Sequence, residues 1–312
     1  MSELMELKEI YKTFKKGPIH SVVAVDNISL DIQAGTNIGI IGESGSGKTT
    51  LGKIMTKLIE PDSGKIVFDS RDVTRLKRKK IRDFRRNVQM IFQDPYSSLD
   101  SKMTVQKLLS DFIKLNGGEP DQETLFKSLD NVSLNNTLLG KYPSELSGGQ
   151  RQRVAIARAL TLKPRLIIAD EPVSSLDVSV RAQILELLND LHAKANLTFV
   201  YVTHDISSLP FVAKKVYVMY RGSVVEVSEI RSLLNEPLHP YSRGLLASVP
   251  DYGRDITDVR EHILEGVDID KMPPNGCKFY YRCAYAMDRC KDDVPKLRKM
   301  ENGREVACHL IE

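Results

Sequence analysis

A glycine-rich segment early in the chain has the residue types and spacing of a loop that binds phosphate. It reads Gly42-Glu43-Ser44-Gly45-Ser46-Gly47-Lys48-Thr49 and satisfies the pattern G-x-x-x-x-G-K-[ST]. Glycines let the backbone wrap around a triphosphate with its N–H groups pointing inward, and the start of the helix predicted to follow favours anions. Lys48 is expected to reach the β- and γ-phosphates, and Thr49 to hold Mg²⁺. The residues expected to contact nucleotide here are Gly42, Ser44, Gly45, Ser46, Gly47, Lys48, Thr49 and Thr50.

An apolar run that ends in two acids is the second candidate. Residues 166–169 predict a short buried strand, and Asp170 and Glu171 follow it. A strand end beside a phosphate loop is where an acid that holds Mg²⁺ belongs, and Asp170 fits that role. Glu171 would then lie next to the γ-phosphate, where it could orient or deprotonate the attacking water. Alone, the pattern also fits a strand that enters a solvated loop; its pairing with residues 42–49 favours the catalytic interpretation.

A second helix start suited to phosphate is predicted at Leu146-Ser147-Gly148-Gly149-Gln150. The helical pattern of residues 151–160 follows it directly, so backbone N–H groups of this segment can face an anion. A simple polar helix cap accounts for Ser147 but leaves the double glycine before Gln150 unexplained.

Predicted strands and helices alternate around these motifs, which indicates an α/β core with a mostly parallel sheet. Antiparallel-looking strands at residues 21–25 and 28–32 suggest an added β-subdomain, and the helical pattern after Gln93 an added α-subdomain. We expect a nucleotide-binding domain over residues 1–230, with its helical subdomain at about residues 94–160. A Pro-richer extension is expected over residues 231–312.

Composition narrows the class of protein. The chain has 312 residues, 41% hydrophobic and 28% charged, which is ordinary for a soluble globular protein. A net charge of +4 is too small over this length to argue for nucleic acid. No apolar run approaches the ~18 residues that would span a bilayer, and the first residues lack a signal peptide's apolar region. We therefore expect a cytoplasmic chain. The basic run at residues 71–86 predicts a solvated face, with contact to anionic lipid headgroups as the alternative.

Residues 146–150, followed by Arg151-Gln152-Arg153, resemble the signature that separates ABC ATPases from other phosphate-loop proteins. In that family the signature contacts the γ-phosphate of ATP held by the opposite subunit, so two chains sandwich two nucleotides. The resemblance therefore implies an ATPase with an ABC-type fold. It also implies a nucleotide-binding role for Ser147, Gly148, Gly149 and Gln150.

The remaining motifs of the family match in order, and each implies a role. Gln93 resembles the Q-loop glutamine near Mg²⁺ and the membrane subunits, which would make it a metal ligand together with Thr49 and Asp170. Asp177, in Ser175-Leu176-Asp177, resembles the D-loop residue that crosses the dimer interface. His204 resembles the switch histidine on the γ-phosphate. Phe14 stands where the family stacks an aromatic ring on adenine, with Tyr11 as the second candidate.

Longer segments, among them residues 91–99, 145–160 and 239–250, narrow the resemblance to ATP-binding subunits of dipeptide and oligopeptide importers. It implies a motor for peptide import at the cytoplasmic face of the membrane; some relatives import nickel or oligosaccharides. Its implied partners are a second, related ATPase chain, two permease subunits and, indirectly, an extracytoplasmic binding protein, with no nucleic acid. One departure is residues 100–102, Asp-Ser-Lys, where the family has Asn-Pro-Arg.

Two other functions are compatible with the ATP motifs. A soluble ABC protein of DNA repair would carry long coiled coils between residues 50 and 146, and no heptads occur there. Translation factors of this type carry two cassettes, and this chain has one. A non-hydrolysing regulatory subunit is disfavoured by the intact Lys48, Asp170, Glu171 and His204.

Four cysteines, Cys277, Cys283, Cys290 and Cys308, are clustered near the C-terminus. Their spacing lacks the short C-x₂-C pairs of structural zinc and the ferredoxin patterns, so spacing alone favours unliganded thiols. The tail nevertheless resembles that of peptide-importer ATPases that hold a [4Fe-4S] cluster through four cysteines. Iron–sulfur is therefore the prediction, with zinc or no metal as alternatives. Because the cysteines are far in sequence from every ATP motif, we expect a structural role for the cluster.

Overall fold

The computed structural model describes residues 3–17, 20–77, 79–247, 262–264 and 271–311. Arg78 of the basic run lies outside these described residues, as do residues 248–250 of the segment 239–250 that carries the family resemblance. The strands are β1 (Glu3–Lys16), β2 (His20–Gln33), β3 (Ile38–Ile41), β4 (Ser63–Phe68), β5 (Arg71–Asp72), β6 (Val88–Ile91), β7 (Leu166–Asp170), β8 (Thr198–Thr203), β9 (Lys215–Tyr220), β10 (Ser223–Glu229), β11 (Arg298–Lys299) and β12 (Glu305–Val306). The α-helices are α1 (Lys48–Met55), α2 (Lys79–Asn87), α3 (Pro95–Ser98), α4 (Val105–Leu115), α5 (Gln122–Asp130), α6 (Gly148–Leu160), α7 (Val178–Ala195), α8 (Ile230–Asn235), α9 (Pro240–Ala247) and α10 (Arg289–Asp292).

Two sheets organise the described residues. The larger has the order β11-β12-β10-β9-β3-β8-β7-β6, in which β9, β3, β8, β7 and β6 run parallel. β10, β12 and β11 continue it antiparallel. The smaller sheet, β2-β1-β4-β5, is antiparallel throughout. The predicted α/β core with an added β-subdomain is confirmed, and β9 and β10 form an antiparallel hairpin.

The parallel strands are buried on both faces, and their alternating side chains build two cores. On β8, Phe199 and Tyr201 face a core that also holds α6, α7 and part of the C-terminal chain. Val200 and Val202 face the opposite core, which lies between the sheet, α1 and the smaller sheet. The parallel strands therefore lie between two apolar layers, and the polar motifs follow their carboxyl ends.

Those strand ends position the predicted motifs. β3 leads into residues 42–49, β6 into Gln93, β7 into Asp170 and Glu171, and β8 into His204. Because these four strands are parallel neighbours, their carboxyl ends lie along one edge of the sheet. Open α/β sheets bind ligands at that edge, so the topology gathers the motifs where a ligand site is expected.

The smaller sheet contains one long strand where two were predicted. Residues 21–25 and 28–32 both belong to β2, and the pairing with β1 shifts register between them. Asn27 has a φ of 52°, a left-handed conformation that asparagine tolerates better than most residues. The irregularity at Asn27 therefore bends the strand without ending it.

The helical segment after Gln93 contains α3 to α6 and short 3₁₀ turns at Asn136–Gly140 and Pro143–Glu145. Side-chain oxygens cap its helices: Thr104 accepts from Lys107 N at the start of α4, and Asp121 from Thr124 N at the start of α5. The apolar faces of these helices join the core that holds α7. This part of the chain is a subdomain attached to the sheet through a shared core.

The described residues of the basic run include β5 and most of α2. Phe84 of α2 is buried, with its ring edge against Phe68 at 5.5 Å between centroids. Lys79, Lys80 and Arg82 of the same helix are exposed. α2 is thus anchored by one aromatic side chain and presents its cations to solvent.

The C-terminal tail, residues 271–311, is joined to the larger sheet by β12, which pairs with β10. Arg304 of the tail and Glu226 of β10 form a buried ion pair at 2.8 Å, with side chains 6% and 0% exposed. Removing one partner of such a pair costs about 3–5 kcal/mol, because the remaining charge is stranded in the interior. The tail is therefore a fixed part of the structure. No helix in the described part of the chain is long and apolar enough to cross a membrane.

Candidate active site

The phosphate loop, residues 42–49, joins the carboxyl end of β3 to the first turn of α1. Gly47, directly before α1, has a φ of 100°, in the left-handed region that glycine adopts readily. A Cβ at this position would also collide with the backbone oxygen of Ala24 on β2. The loop thus lies close against β2 at a point where only glycine permits both the conformation and the approach.

The Lys48 ammonium is folded back onto this loop. Its Nζ donates to the backbone oxygens of Gly42 at 2.7 Å and Glu43 at 2.9 Å. Burial lowers the pKa of Lys48. Three nearby carboxylates, those of Glu171, Asp170 and Glu43, oppose that shift. A desolvated ammonium on a loop rich in backbone N–H groups is suited to bind a phosphate anion.

Thr49 connects the phosphate loop to the end of β7. Its Oγ1 donates to Asp170 Oδ1 at 3.1 Å. Burial raises the pKa of the Asp170 carboxyl, and the Thr49 hydrogen bond opposes the rise. A hydroxyl and a carboxylate are hard oxygen donors, the kind that Mg²⁺ takes when substrate phosphates complete its coordination. This pair fits the predicted magnesium site.

Glu171 holds two of the other predicted residues. Its Oε2 accepts from Gln93 Nε2 at 2.9 Å, and its Oε1 lies 2.9 Å from His204 Nδ1. Glu171 has a φ of 46°, unusual for a residue with a side chain, and its backbone N–H donates to Val202 O on β8. Strained backbone conformations of this kind cluster at functional sites. The side chain of Glu171 is thereby held at the centre of the sheet edge.

A cleft of about 630 Å³ lies over these groups. Its described lining includes Val22, Val23, Gly42, Glu43, Ser44, Gly45, Gly47, Lys48, Thr49, Thr50, Gln93, Glu171, His204 and Leu245. Val22 is 49% exposed and pairs across the hairpin with Phe14, which is 40% exposed. Exposed apolar side chains beside a phosphate loop can cover the face of a purine ring. The predicted residue Phe14 stands next to this apolar end, whereas Tyr11 pairs with Ser63 on β4.

The signature segment, residues 146–150, lies apart from this cleft. Ser147 caps α6 reciprocally with Gln150: Ser147 Oγ accepts from Gln150 N at 3.3 Å, and Ser147 N donates to Gln150 Oε1 at 2.9 Å. Neither this segment nor Asp177, an exposed residue before α7, is among the described residues that line the cleft. Within one chain the structure therefore brings together the residues of the strand ends and leaves the signature segment separate.

Two contacts of the phosphate loop come from residues that sequence reasoning did not assign to the site. The Arg282 guanidinium binds both carboxylate oxygens of Glu43, and Tyr241 Oη accepts from Glu43 N at 2.8 Å. Tyr241 belongs to residues 239–250, one of the segments that carry the family resemblance, and that was the only signal that marked it. Arg282 carried no signal beyond its position before Cys283.

The four cysteines are free and lie in the tail. Cys277 N donates to Cys290 O at 2.7 Å, an approach that Gly276 permits because a Cβ there would collide with Lys291 O. Burial raises the pKa of Cys277 to about 11 and that of Cys283 to about 12, and the other thiol groups contribute to both shifts. Cys277 and Cys290 therefore lie next to each other in the tail.

In the described residues, no group of three or more His, Cys, Asp or Glu side chains is arranged to hold a metal ion. The described residues therefore give no structural support for a metal at the four cysteines, whether zinc or iron.

The chain is similar to known families over most of its length. Residues 25–174 match the family described as ABC transporter, and residues 225–290 match the oligopeptide/dipeptide transporter C-terminal region. The oligopeptide transport ATP-binding protein AppF of Bacillus subtilis is 39% identical, over 98% of this chain and 97% of AppF. A peptide import ATP-binding protein of Brucella ovis is 42% identical, over 91% of this chain and 90% of the relative.

Solved structures of ATP-binding cassettes share the fold. The dimeric cassette MJ0796, in a post-hydrolysis state with ADP and inorganic phosphate, is 31% identical with a TM-score of 0.65, over 73% of this chain and 99% of that one. The cassette cbiO1 of Clostridium perfringens, part of the ABC transporter complex cbiONQ, is 29% identical with a TM-score of 0.66, over 76% of this chain and 92% of that one.

Proposed function

Because this chain is an ATPase of the ABC family and belongs to its dipeptide/oligopeptide importer ATP-binding subunits, we propose that it powers the import of peptides across the cytoplasmic membrane. The observation that carries the proposal is the convergence of Lys48, Thr49, Glu171, Gln93 and His204 at one cleft. The peptide-transport names of its relatives support the substrate class. Nickel or oligosaccharide import is the second candidate.

Binding of ATP would begin at the phosphate loop. The backbone N–H groups of residues 42–49 and the Lys48 ammonium face the phosphates, and Phe14 covers the adenine at the apolar end of the cleft. Thr49, Asp170 and Gln93 would hold Mg²⁺. When bound, this ion would neutralise negative charge on the phosphate oxygens. Asp170, at the end of a buried strand, is well placed for this role because its carboxylate is already hydrogen-bonded to Thr49.

Hydrolysis would depend on Glu171. Its carboxylate orients the attacking water and accepts its proton, while Gln93 and His204 hold the carboxylate in place through the two contacts of 2.9 Å. His204, whose side chain is exposed, would reach the γ-phosphate when ATP is bound. Cleavage of the γ-phosphate would therefore be transmitted through Glu171 and His204 to Gln93, which follows the end of β6.

We propose that two such chains enclose the nucleotides. The signature residues Ser147, Gly148, Gly149 and Gln150 would bind the γ-phosphate on the opposite subunit, and Asp177 would lie at the interface. The separation of this segment from the cleft of its own chain supports that arrangement. The second ATPase chain is expected to be a related, non-identical protein. Two permease subunits would span the membrane, with this chain at their cytoplasmic face, and a binding protein would deliver the peptide.

We propose a division of the chain into two domains, one that binds nucleotide and one that forms a C-terminal extension. Residues 1–230 form the nucleotide-binding domain, whose helical subdomain at about residues 94–160 carries the signature. Residues 231–312 form the extension. The matches to two families, at residues 25–174 and 225–290, support a boundary near residue 230.

Reconstitution of the complete transporter tests the substrate class. The complex that co-purifies with this chain from membranes, placed in liposomes with its binding protein, is expected to accumulate labelled di- or oligopeptides only with ATP. Unlabelled peptides should compete with this uptake, and Ni²⁺ and oligosaccharides should not. ATP-dependent uptake of nickel or an oligosaccharide, with no uptake of peptide, would reject the peptide assignment and leave the motor role intact.

We further propose that the tail binds an iron–sulfur cluster through Cys277, Cys283, Cys290 and Cys308. The four free thiols lie in one segment whose backbone joins Cys277 directly to Cys290, and four thiolates are the donor set that such a cluster requires. The cluster would supply a structural cross-link within the tail. Thiolate ligation removes the protons that burial otherwise retains on Cys277, Cys283 and Cys308.

Anaerobic purification tests this cluster. The protein is expected to be brown, with broad absorption near ~400 nm and about four irons and four sulfides per chain. Replacing Cys283 with Ser should bleach it, whereas Ser101→Ala, which changes an exposed serine outside the tail, should not. Metal analysis that finds no iron in the anaerobic protein would reject the proposal.

A further inference from the structure

The phosphate loop carries a carboxylate where a bound triphosphate would be repelled. Glu43 lies between Gly42 and Ser44, and it lines the same cleft as Lys48. Its charge is close enough to raise the pKa of Lys48 against the effect of burial. A carboxylate this near the phosphate-binding residues weakens anion binding unless a cation offsets it.

Arg282 of the tail supplies that cation. Its Nη1 donates to Glu43 Oε2 at 2.8 Å and its Nη2 to Glu43 Oε1 at 2.9 Å, a bidentate pair. The Arg282 side chain is 14% exposed and that of Glu43 is 38% exposed. Solvent screens this pair only in part, because the guanidinium is enclosed between the loop and the tail.

Tyr241 holds the backbone of the same loop residue. Tyr241 Oη accepts from Glu43 N, and Tyr241 N donates to His239 Nδ1 at 3.0 Å. His239 N in turn donates to the buried Glu226, which is paired with Arg304. Burial lowers the pKa of His239 to about 3, so its ring is neutral and can accept that hydrogen bond. A continuous polar chain therefore joins the tail to Glu43 from the backbone side.

We propose that Arg282 is a positioning residue for nucleotide binding, which neutralises Glu43 and lets the C-terminal tail complete the phosphate loop of its own chain. The inference rests on the proposed nucleotide site at residues 42–49. Without the guanidinium, Glu43 carries a free negative charge at the mouth of the loop. Nucleotide affinity then falls because of electrostatic repulsion, and the chemistry of hydrolysis is unaffected.

A double-mutant cycle on Glu43 and Arg282 in the full chain tests the proposal, with ATP affinity measured by titration at low salt. Arg282→Ala is expected to weaken ATP binding about 3- to 10-fold, the effect of one uncompensated charge near the phosphates. Glu43→Gln combined with Arg282→Ala should restore affinity to within about 2-fold of the wild type. The ATP affinity of Arg282→Lys should lie between those of the wild type and Arg282→Ala, since lysine keeps the positive charge and loses the bidentate geometry.

Two further readouts separate charge from folding. The loss of ATP affinity in Arg282→Ala should become smaller at high salt, because salt screens the repulsion. The kcat of Arg282→Ala at saturating ATP in the assembled transporter should stay at the wild-type value. Arg289→Ala is the matched control, since it removes a tail arginine whose ion-pair partner, Asp293, lies in the tail itself. It should leave ATP affinity unchanged.

Unchanged affinity in Arg282→Ala would overturn the proposal. So would a double variant as weak as Arg282→Ala, because it would show that the arginine acts through folding alone. Lys48→Ala in the same titration distinguishes this failure from failure of the nucleotide site. If Lys48→Ala weakens binding and Arg282→Ala does not, only the role of the tail is wrong.

Discussion

Replacement of Glu171 by Gln is expected to lower kcat of ATP hydrolysis in the assembled transporter by at least ~10², the scale on which a positioned general base contributes. The amide keeps the size of the side chain and can still accept from Gln93, so the cleft should be preserved. It can neither accept the proton of the attacking water nor attract it with a full negative charge. ATP binding should therefore be retained, and the closed pair of subunits should persist because hydrolysis no longer opens it.

Steady-state ATPase measurements on the reconstituted complex, together with the fraction of closed dimer on size exclusion with ATP, check this result. Glu301→Gln is the matched control, because it makes the same change at an exposed residue of the tail. Its rate should equal that of the wild type. Hydrolysis at the wild-type rate in Glu171→Gln would remove Glu171 from the catalytic role, and the search would move to other acids at the sheet edge.

Replacement of Lys48 by Ala is expected to act at the earlier step of binding. It removes the ammonium that lies on the loop, buried and hydrogen-bonded to Gly42 O and Glu43 O. A hydrogen bond from a cation to a phosphate is worth about 1.5–3 kcal/mol, so ATP affinity should fall about 10- to 100-fold. Removing this cation also takes a positive charge away from the neighbourhood of Glu171, Asp170 and Glu43, which adds to the loss.

Titration of the purified chain with ATP, with and without Mg²⁺, measures this change. Lys114→Ala removes an exposed lysine of α4 and serves as the control, with no expected effect on affinity. An unchanged ATP affinity in Lys48→Ala would contradict the phosphate-loop interpretation. The two variants thus divide the reaction: one should bind ATP without hydrolysing it, and the other should bind it poorly.

The local elements and the family could be predicted from the sequence because each depends on neighbouring residues. The apolar run of residues 166–169 predicted β7, and the two acids that follow it were therefore expected at a strand end. Parallel neighbouring strands place their carboxyl ends at one edge, so the meeting of Lys48, Asp170, Glu171 and His204 followed from topology. The continuity of β2 through Asn27 could not be predicted, since a left-handed residue inside a strand has no distinct pattern in the sequence.

Only the tertiary structure showed that the tail is part of the phosphate-loop surroundings. The cysteine segment is far in sequence from the ATP motifs, yet Arg282 contacts Glu43 across a separation of 239 residues. Periodicity and motif spacing report which residues share an element or a strand end. They carry no information about which side chain of one loop packs against another, because that depends on how β12 joins β10 and on the buried pair of Arg304 and Glu226. The sequence alone determined the chemistry of the site, and long-range packing decided that the tail is held against it.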